Sequence, residues 1–302
     1  MAGGQERILR RRIKSVQSTK KITKAMELIA ASRIVKAQQR VTAARPYSDQ
    51  IVQVLHHLSV GGAGTVNPLL TPRTDDEVRT VEYVVMGGDR GLSGGYNSSV
   101  IRAAEASIRR DRAAGRDIVL VTVGKKVQSY FRFRNYDIAA AINGTVDRPT
   151  YEDARRVAAE ILPRFAEDQI QRVQLIYTEF LSAGSQRVVE RRFLPLDADA
   201  MGLVASSDDE SAGPQADYEY EPDPTEILDA LLPRYVEARL FGAMLSGSAS
   251  FFAAQQRAMA SASDNADELI TKLTRQRNRA RQDSITTEIM EIVSGAEASS
   301  KK

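Results

Sequence analysis

The sequence has no cysteine and only two histidines, His56 and His57. Without thiols there are no disulfides, no thiolate metal sites and no cysteine nucleophiles, a composition that fits a reducing compartment. Adjacent histidines at the end of a helical pattern fit a solvated terminus better than a metal or acid–base site. No apolar run approaches the roughly 18 residues of a spanning helix, and no apolar signal segment follows the basic start, so no segment is expected to enter a membrane. The loop "GGDRGLSGGYN" (87–97) has the glycine richness of a phosphate cradle, but it lacks the lysine and hydroxyl of the P-loop signature and its spacing is not GxGxxG. It reads as a tight turn whose glycines permit close backbone approach.

What is present is a chain of 302 residues, 42% hydrophobic, long enough for one large or two ordinary domains with a real core. The net charge of +3 hides an asymmetry. Arg7, Arg10, Arg11, Arg12, Lys14, Lys20, Lys21, Lys24, Arg33, Lys36, Arg40 and Arg45 face only Glu6, Glu27 and Asp49 in the first segment, whereas "SSDDESAGPQADYEYEPDP" (206–224) is acidic. The first segment therefore seeks an acidic partner or a polyanion.

A helical pattern runs from about residue 4 to about 58, bent by Pro46 and stopped by "GGAG" at 61–64. At its usual rise such a helix is roughly 80 Å long, more than a compact domain contains. Within "KITKAMELIAASR" (21–33), Ile22, Ala25, Met26 and Ile29 share one stripe opposite Lys20, Lys21, Lys24 and Glu27, which predicts burial of that stripe. The middle of the chain changes period. "VEYVVMGG" (81–88) and "DIVLVTVG" (117–124) read as strands, each followed by a helical stretch; a further helix at 151–167 leads to the paired strands "VQLIYTEF" (173–180) and "RVVERRFLPL" (187–196). This alternation predicts a parallel, Rossmann-like sheet closed by an antiparallel hairpin.

From Thr225 the helical pattern returns and continues almost to Ser294, with Pro233 near its beginning. Steps of three and four from Leu228 through Tyr235, Leu245, Ala249, Phe252, Met259, Ser263, Ala266 and Leu273 to Ala280 form a coiled-coil seam. Two very long helices at opposite ends of one chain bury their stripes most economically against each other. The expected fold is thus of the α/β class: a long antiparallel two-helix coiled coil formed by the N- and C-terminal segments with an inserted Rossmann-like α/β domain. Its parts are 1–60, 75–224 and 225–302. Leu28, Ile34 and Val35 lie off the stripe of Ile22 and Met26, so the shaft carries a second apolar face that something must surround.

Four stretches in register, "IKSVQSTKKITKAMELIAASR" (13–33), "GDRGLSGGYN" (88–97), "YEYEPDP" (218–224) and "SDNADELITKLTRQRNRARQDSITTEIMEIVSGA" (263–296), resemble the signature segments of the gamma subunit of the rotary F-type ATP synthase, the central rotor shaft. The resemblance spans essentially the whole chain. It implies a coiled coil turning inside a hexamer of alpha and beta subunits, with the Rossmann-like domain at its foot near the epsilon subunit and the membrane ring of c subunits. Met26 resembles the shaft methionine opposite the acidic lever region of the beta subunits, with Arg33, Lys36 and Arg40 continuing as a basic face. Arg281 and Gln282 resemble the pair that hydrogen-bonds a loop of the empty beta subunit, with Thr286 one turn on. Tyr218, Tyr220 and Glu221 match positions facing the polar loops of the c ring. In the family the glycine-rich loop lies beside the shaft; Ser93 stands where many relatives carry cysteine, and the paired cysteines of chloroplast gamma subunits are missing, which excludes redox gating by a disulfide.

The implied function is that of a central-stalk rotor subunit of a proton-translocating complex, without catalytic, cofactor-binding or metal-binding residues of its own. Two other classes stand beside it: a nucleotide-binding Rossmann-like enzyme, disfavoured by the absent fingerprint, and a basic coiled-coil nucleic-acid-binding protein, disfavoured by the lack of stacking aromatics along the first helix. The family motif begins at Ile13, which leaves no room for a transit peptide and points to a bacterial chain at the cytoplasmic face of the cell membrane, peripheral and not inserted.

Overall fold

The computed structural model describes residues 2–60, 67–196, 221 and 223–300. Its elements are α1 (Ala2–Val60), β1 (Thr80–Met86), α2 (Tyr96–Ala113), β2 (Asp117–Val123), α3 (Lys125–Phe133), β3 (Ala140–Ile142), α4 (Tyr151–Ala166), β4 (Arg172–Phe180), β5 (Gln186–Leu194) and α5 (Pro224–Ser300). Pro46 and Pro233 both lie inside helices. The chain forms two compact units, one of Met1–Ala31 with Gln255–Lys302 and one of Ser32–Ala254.

In the larger unit five strands form one sheet in the order β3-β2-β1-β4-β5. β1 runs parallel to both neighbours, with Val84 opposite Val121 of β2 and Leu175 of β4, and β5 returns antiparallel to β4 with Tyr177 opposite Val189. The expected parallel sheet with a closing hairpin is therefore present. β3, only three residues long, was not anticipated: it pairs in parallel with β2 through Val121–Val123 and forms the far edge. Side chains alternate along the strands as the pleat requires. Val81, Tyr83 and Val85 point into a cluster with Ile108, Leu120 and Phe131 under α2 and α3. Val84 and Met86 point the other way, to Phe165 of α4, Leu55 of α1 and Leu232 of α5. Because both faces are covered, the central strands read as continuous runs of branched residues.

Polar side chains fix the edges of this unit. Thr150 caps α4 by accepting the Asp153 N–H at 3.2 Å, while the Asp153 carboxylate accepts the Thr150 N–H at 2.9 Å. Asp111 accepts the Tyr83 hydroxyl at 2.5 Å and the guanidinium groups of Arg116 and Arg172 at 2.8 and 2.6 Å. Burial alone would raise its pKa, but these three donors hold the carboxyl below its usual value.

In the smaller unit the two helices run antiparallel. Lys20 pairs with Asp267 at 2.6 Å, and the hydroxyls of Thr23 and Ser263 meet at 2.7 Å. The α5 side of the seam follows the expected spacing: Met259, Ser263, Ala266, Leu273 and Ala280 are buried, with Gln256, Ile270 and Arg277 half-buried between them. The α1 side corrects the sequence reading. Ile22 and Ile29 are more than half exposed, Ala25 is exposed and Met26 half-buried, while the buried positions are Ile13, Thr23 and Ala30. Two of the three buried α1 positions, Thr23 and Ala30, are small, so the count of large apolar residues does not choose the buried face. Ile34, read as lying off the stripe, is buried in the larger unit against Ala249 and Phe252. Leu28 and Val35 do face outward.

Candidate functional site

Two glycines close the carboxyl end of β1 and one that of β2. Gly124 adopts a positive φ of 104°, and a Cβ there would lie 2.3 Å from the Gly87 carbonyl oxygen; at Gly87 it would lie 2.2 Å from Val127. Only glycine permits this approach. It brings Asp89 to the start of α3, where its carboxylate accepts the N–H groups of Lys125, Gly144 and Val146 at 3.1, 2.9 and 3.3 Å. Free N–H groups at a helix start beyond a parallel strand are what a phosphate would bind. At the start of α3 the Lys125 N–H goes to the chain's own Asp89 carboxylate and the Lys126 N–H to the Gly88 carbonyl at 3.0 Å. Asn97 ties the same loop down, accepting from Gly88 N–H at 2.7 Å and donating to the Arg90 carbonyl at 3.1 Å.

The loop also docks on α5 within the same unit. The Tyr96 hydroxyl donates to the Gly247 carbonyl at 2.9 Å, and its ring meets Phe251 edge-on at 5.5 Å. Burial pushes the Tyr96 pKa up, so the phenol stays a donor. Ser93 is buried, and its hydroxyl finds no hydrogen-bond partner among the described residues. A less polar side chain would suit that position better.

Of the residues singled out from the sequence, Arg33, Lys36 and Arg40 lie on one face of α1 in the larger unit. Arg33 is partly committed: it sits 5.4 Å above the Phe252 ring and 3.3 Å from the Asp147 carboxylate, which also holds Arg90. Lys36 is exposed and Arg40 half-exposed. Asp147 was missed because it is a lone acid in a loop, with no spacing to mark it. Met26 is half-buried in the smaller unit. In the same unit Arg281, Gln282 and Thr286 are all exposed, and Gln282 and Thr286 share a helix face one turn apart. They begin where burial stops: after Ala280 only Ser284 is even half-buried through residue 296, and Ile285, Ile289, Met290, Ile292 and Val293 are exposed. Tyr218 and Tyr220 lie outside the described residues; Glu221 is exposed. His56 and His57 are both exposed. Among the described residues no group of three or more His, Cys, Asp or Glu side chains could hold a metal, and no helix is long and apolar enough to cross a membrane.

Fold and surfaces define a class: a two-helix coiled coil carrying an inserted Rossmann-like domain whose glycine-rich loop is held by its own Asp89 carboxylate. The family model described as ATP synthase matches residues 5–298. An ATP synthase gamma chain of Parafrankia sp. is 47% identical over 300 residues, covering 98% of each chain, and one of Mycolicibacterium smegmatis is 44% identical over 306 residues, covering 97% of each. The fold resembles a chain of the Euglena gracilis mitochondrial ATP synthase (TM-score 0.67, 18% identity, 98% of this chain and 95% of that one). It also resembles a chain from the central stalk and c-ring of the Tetrahymena thermophila enzyme (TM-score 0.58, 23% identity, 80% and 99%). The chain belongs to the ATP synthase gamma chain family.

Proposed function

We propose that this chain is the central-stalk rotor subunit of a proton-translocating F-type ATP synthase. It couples rotation of the c-subunit ring to conformational change in the alpha/beta hexamer, contacts the epsilon subunit, and works at the cytoplasmic face of a bacterial cell membrane without inserting into it. The subunit is non-catalytic. The observation that carries this reading is the end of α5, where a helix that has left its seam presents Arg281, Gln282 and Thr286 beside a run of exposed isoleucines. A contiguous exposed apolar surface of this kind marks an interaction site. Membership of the gamma chain family supports the alpha/beta hexamer as the partner, and structural neighbours come from central-stalk, F1 and c-ring assemblies. Met26, Lys36 and Arg40, with Arg33 when it exchanges Asp147 for a partner carboxylate, are assigned to the beta subunits. Tyr218, Tyr220 and Glu221 are assigned to the c ring and epsilon. A nucleotide-binding role is disfavoured because the glycine-rich loop lacks the phosphate fingerprint and places the Asp89 carboxylate, a negative charge, at the start of α3.

Charge-assisted hydrogen bonds contribute roughly 1.5–3 kcal/mol. A contact of that size made at one rotary angle biases the facing beta subunit; the same contact at every angle changes nothing. Replacing Arg281→Ala with Gln282→Ala is therefore expected to leave a complex that still assembles with alpha, beta and epsilon but turns over several-fold more slowly. Normal assembly with parental turnover would remove this pair from the working contact, and failure to co-purify with those subunits would overturn the rotor reading itself.

A further inference from the structure

A cleft of about 690 Å³ opens in the larger unit between α1, the start of α4 and α5. Its volume is in the range of about 300–1,000 Å³ typical of sites for small organic ligands. Tyr47, Tyr151 and Phe241 form one wall: Tyr151 meets Tyr47 edge-on at 6.4 Å and Phe241 at 5.8 Å, which holds the three rings as a unit. The rim is charged but mostly spent. Glu237 accepts the Tyr151 hydroxyl at 2.8 Å and lies 3.9 Å from Arg155, whose other nitrogen donates to Glu152 at 2.9 Å. Burial, and then the nearby Glu237 carboxylate, push the Tyr151 pKa up, so that bond persists across the ordinary pH range. Arg234 is different. It lines the cleft, it is exposed, and no carboxylate pairs with it among the described residues.

An aromatic wall beside one uncommitted guanidinium is complementary to a flat ring bearing a negative charge. The two rim carboxylates penalise a second or third negative charge on the ligand, which argues against a nucleotide or polyphosphate. We propose that this cleft is a binding site for a small planar aromatic monoanion, its ring packed against Tyr47 and Phe241 and its carboxylate or sulfonate on Arg234. The inference is independent of the rotor reading. None of these residues stands in a motif, and three separate elements bring them together.

The test is calorimetric titration of the full chain with 2-naphthoate, with neutral 2-naphthamide as control. The expected result is a single saturable site for the anion. Affinity should be at least tenfold weaker in Arg234→Ala, partly restored in Arg234→Lys, and several-fold weaker in Tyr47→Ala. Both positions are exposed, so these variants should fold. Absence of saturation at millimolar naphthoate, equal binding of naphthamide, or binding that Arg234→Ala leaves unchanged would each overturn the proposal. The same titration on the assembled complex decides the occupant: retained binding supports a small ligand, whereas lost binding with Tyr47 protected from solvent assigns the cleft to a protein partner and overturns it.

Discussion

In the larger unit large aromatic side chains fill the core, with Tyr83, Phe131, Phe165, Phe193 and Phe251 all essentially inaccessible. In the smaller unit size does not decide. There the seam holds Thr23, Ala30, Ser263 and Ala266 together with Ile13, Met259 and Leu273, while Ile8, Ile22, Leu28, Ile29 and Leu269 face outward. The first unit buries most of its large hydrophobic side chains in its own core. The second leaves most of its large apolar side chains facing outward. A unit built in the first way is expected to be stable alone, and one built in the second to gain stability from any partner that covers its outward face.

The largest expected effect tests the self-sufficient unit. Phe165 of α4 is fully buried in the cluster with Ile161, Ile170 and Leu194, so Phe165→Ala should cost about 3–5 kcal/mol and bring the unit near to unfolding. Leu273→Ala in the two-helix seam should cost less, about 2 kcal/mol, because a two-helix seam has no third layer whose contacts are lost. Chemical denaturation of the two variants compares them directly. Equal costs would mean that the units are packed alike.

A second effect separates the units by pH. Glu82 of β1 is completely buried; Arg164 donates to one of its oxygens at 3.0 Å, the other has no partner among the described residues, and Glu160 shares the same arginine at 2.8 Å. Burial, only partly opposed by Arg164, pushes its pKa up to about 7 from 4.5. The folded state therefore holds a proton that the unfolded state has lost within that window. The sign follows: the stabilisation is fully present below the unfolded pKa and is lost as pH rises to the folded one, a change of about 1–3 kcal/mol. Denaturation midpoints of the larger unit should fall between pH ~5 and ~8 in the parent relative to Glu82→Gln, which has no carboxyl to titrate. Hydrogen exchange in the two-helix unit should not follow that fall. A parent and variant with the same pH profile would show that Glu82 is charged throughout.

The third effect is a coupling within the seam. Thr23 and Ser263 each have a backbone acceptor in their own helix, the Lys20 carbonyl at 3.0 Å and the Met259 carbonyl at 2.9 Å. Each hydroxyl has one proton, so one of them donates across the seam while the other donates back. Thr23→Val and Ser263→Ala should show a coupling of about 1 kcal/mol in a double-mutant cycle. A coupling near zero in the free chain, appearing only in the complex, would mean that the seam closes on assembly.

The sheet was legible because β1 and β2 are runs of branched residues ended by glycines that no other residue can replace, and α5 because small residues, Met259 and Leu273 recur at steps of three and four. β3 was not legible, since three residues carry no period. The buried face of α1 was misread for a physical reason. Hydrophobicity identifies a face that seeks cover but not which neighbour covers it, and in a helix pair that meets at small residues the large apolar face is left for a third party. The residues proposed as contacts were singled out only through their motif: Arg281 and Gln282 look like any polar pair on a helix until burial is seen to stop at Ala280. The cleft at Arg234 had no signal at all, because it is assembled from residues far apart in the chain.

The smallest effect on the isolated chain tests that third party most directly. Leu28 and Ile29 are 62% and 53% exposed, so folding gains little from them. Glutamine is at least as good a helix former as isoleucine and close to leucine, and it removes the apolar surface without introducing charge. Leu28→Gln with Ile29→Gln should therefore shift the stability of the free chain by no more than about 0.5 kcal/mol, as for ordinary surface substitutions. If the outward face is enclosed in the complex, the same double variant forfeits hydrophobic burial there. Hydrogen exchange of residues 13–31 in the assembled protein should then be measurably faster than in the parent, with no difference between the two free chains. A loss of stability of 2 kcal/mol or more in the free chain, on the scale of a core truncation, would place Leu28 and Ile29 in the chain's own core and erase the contrast between the two units.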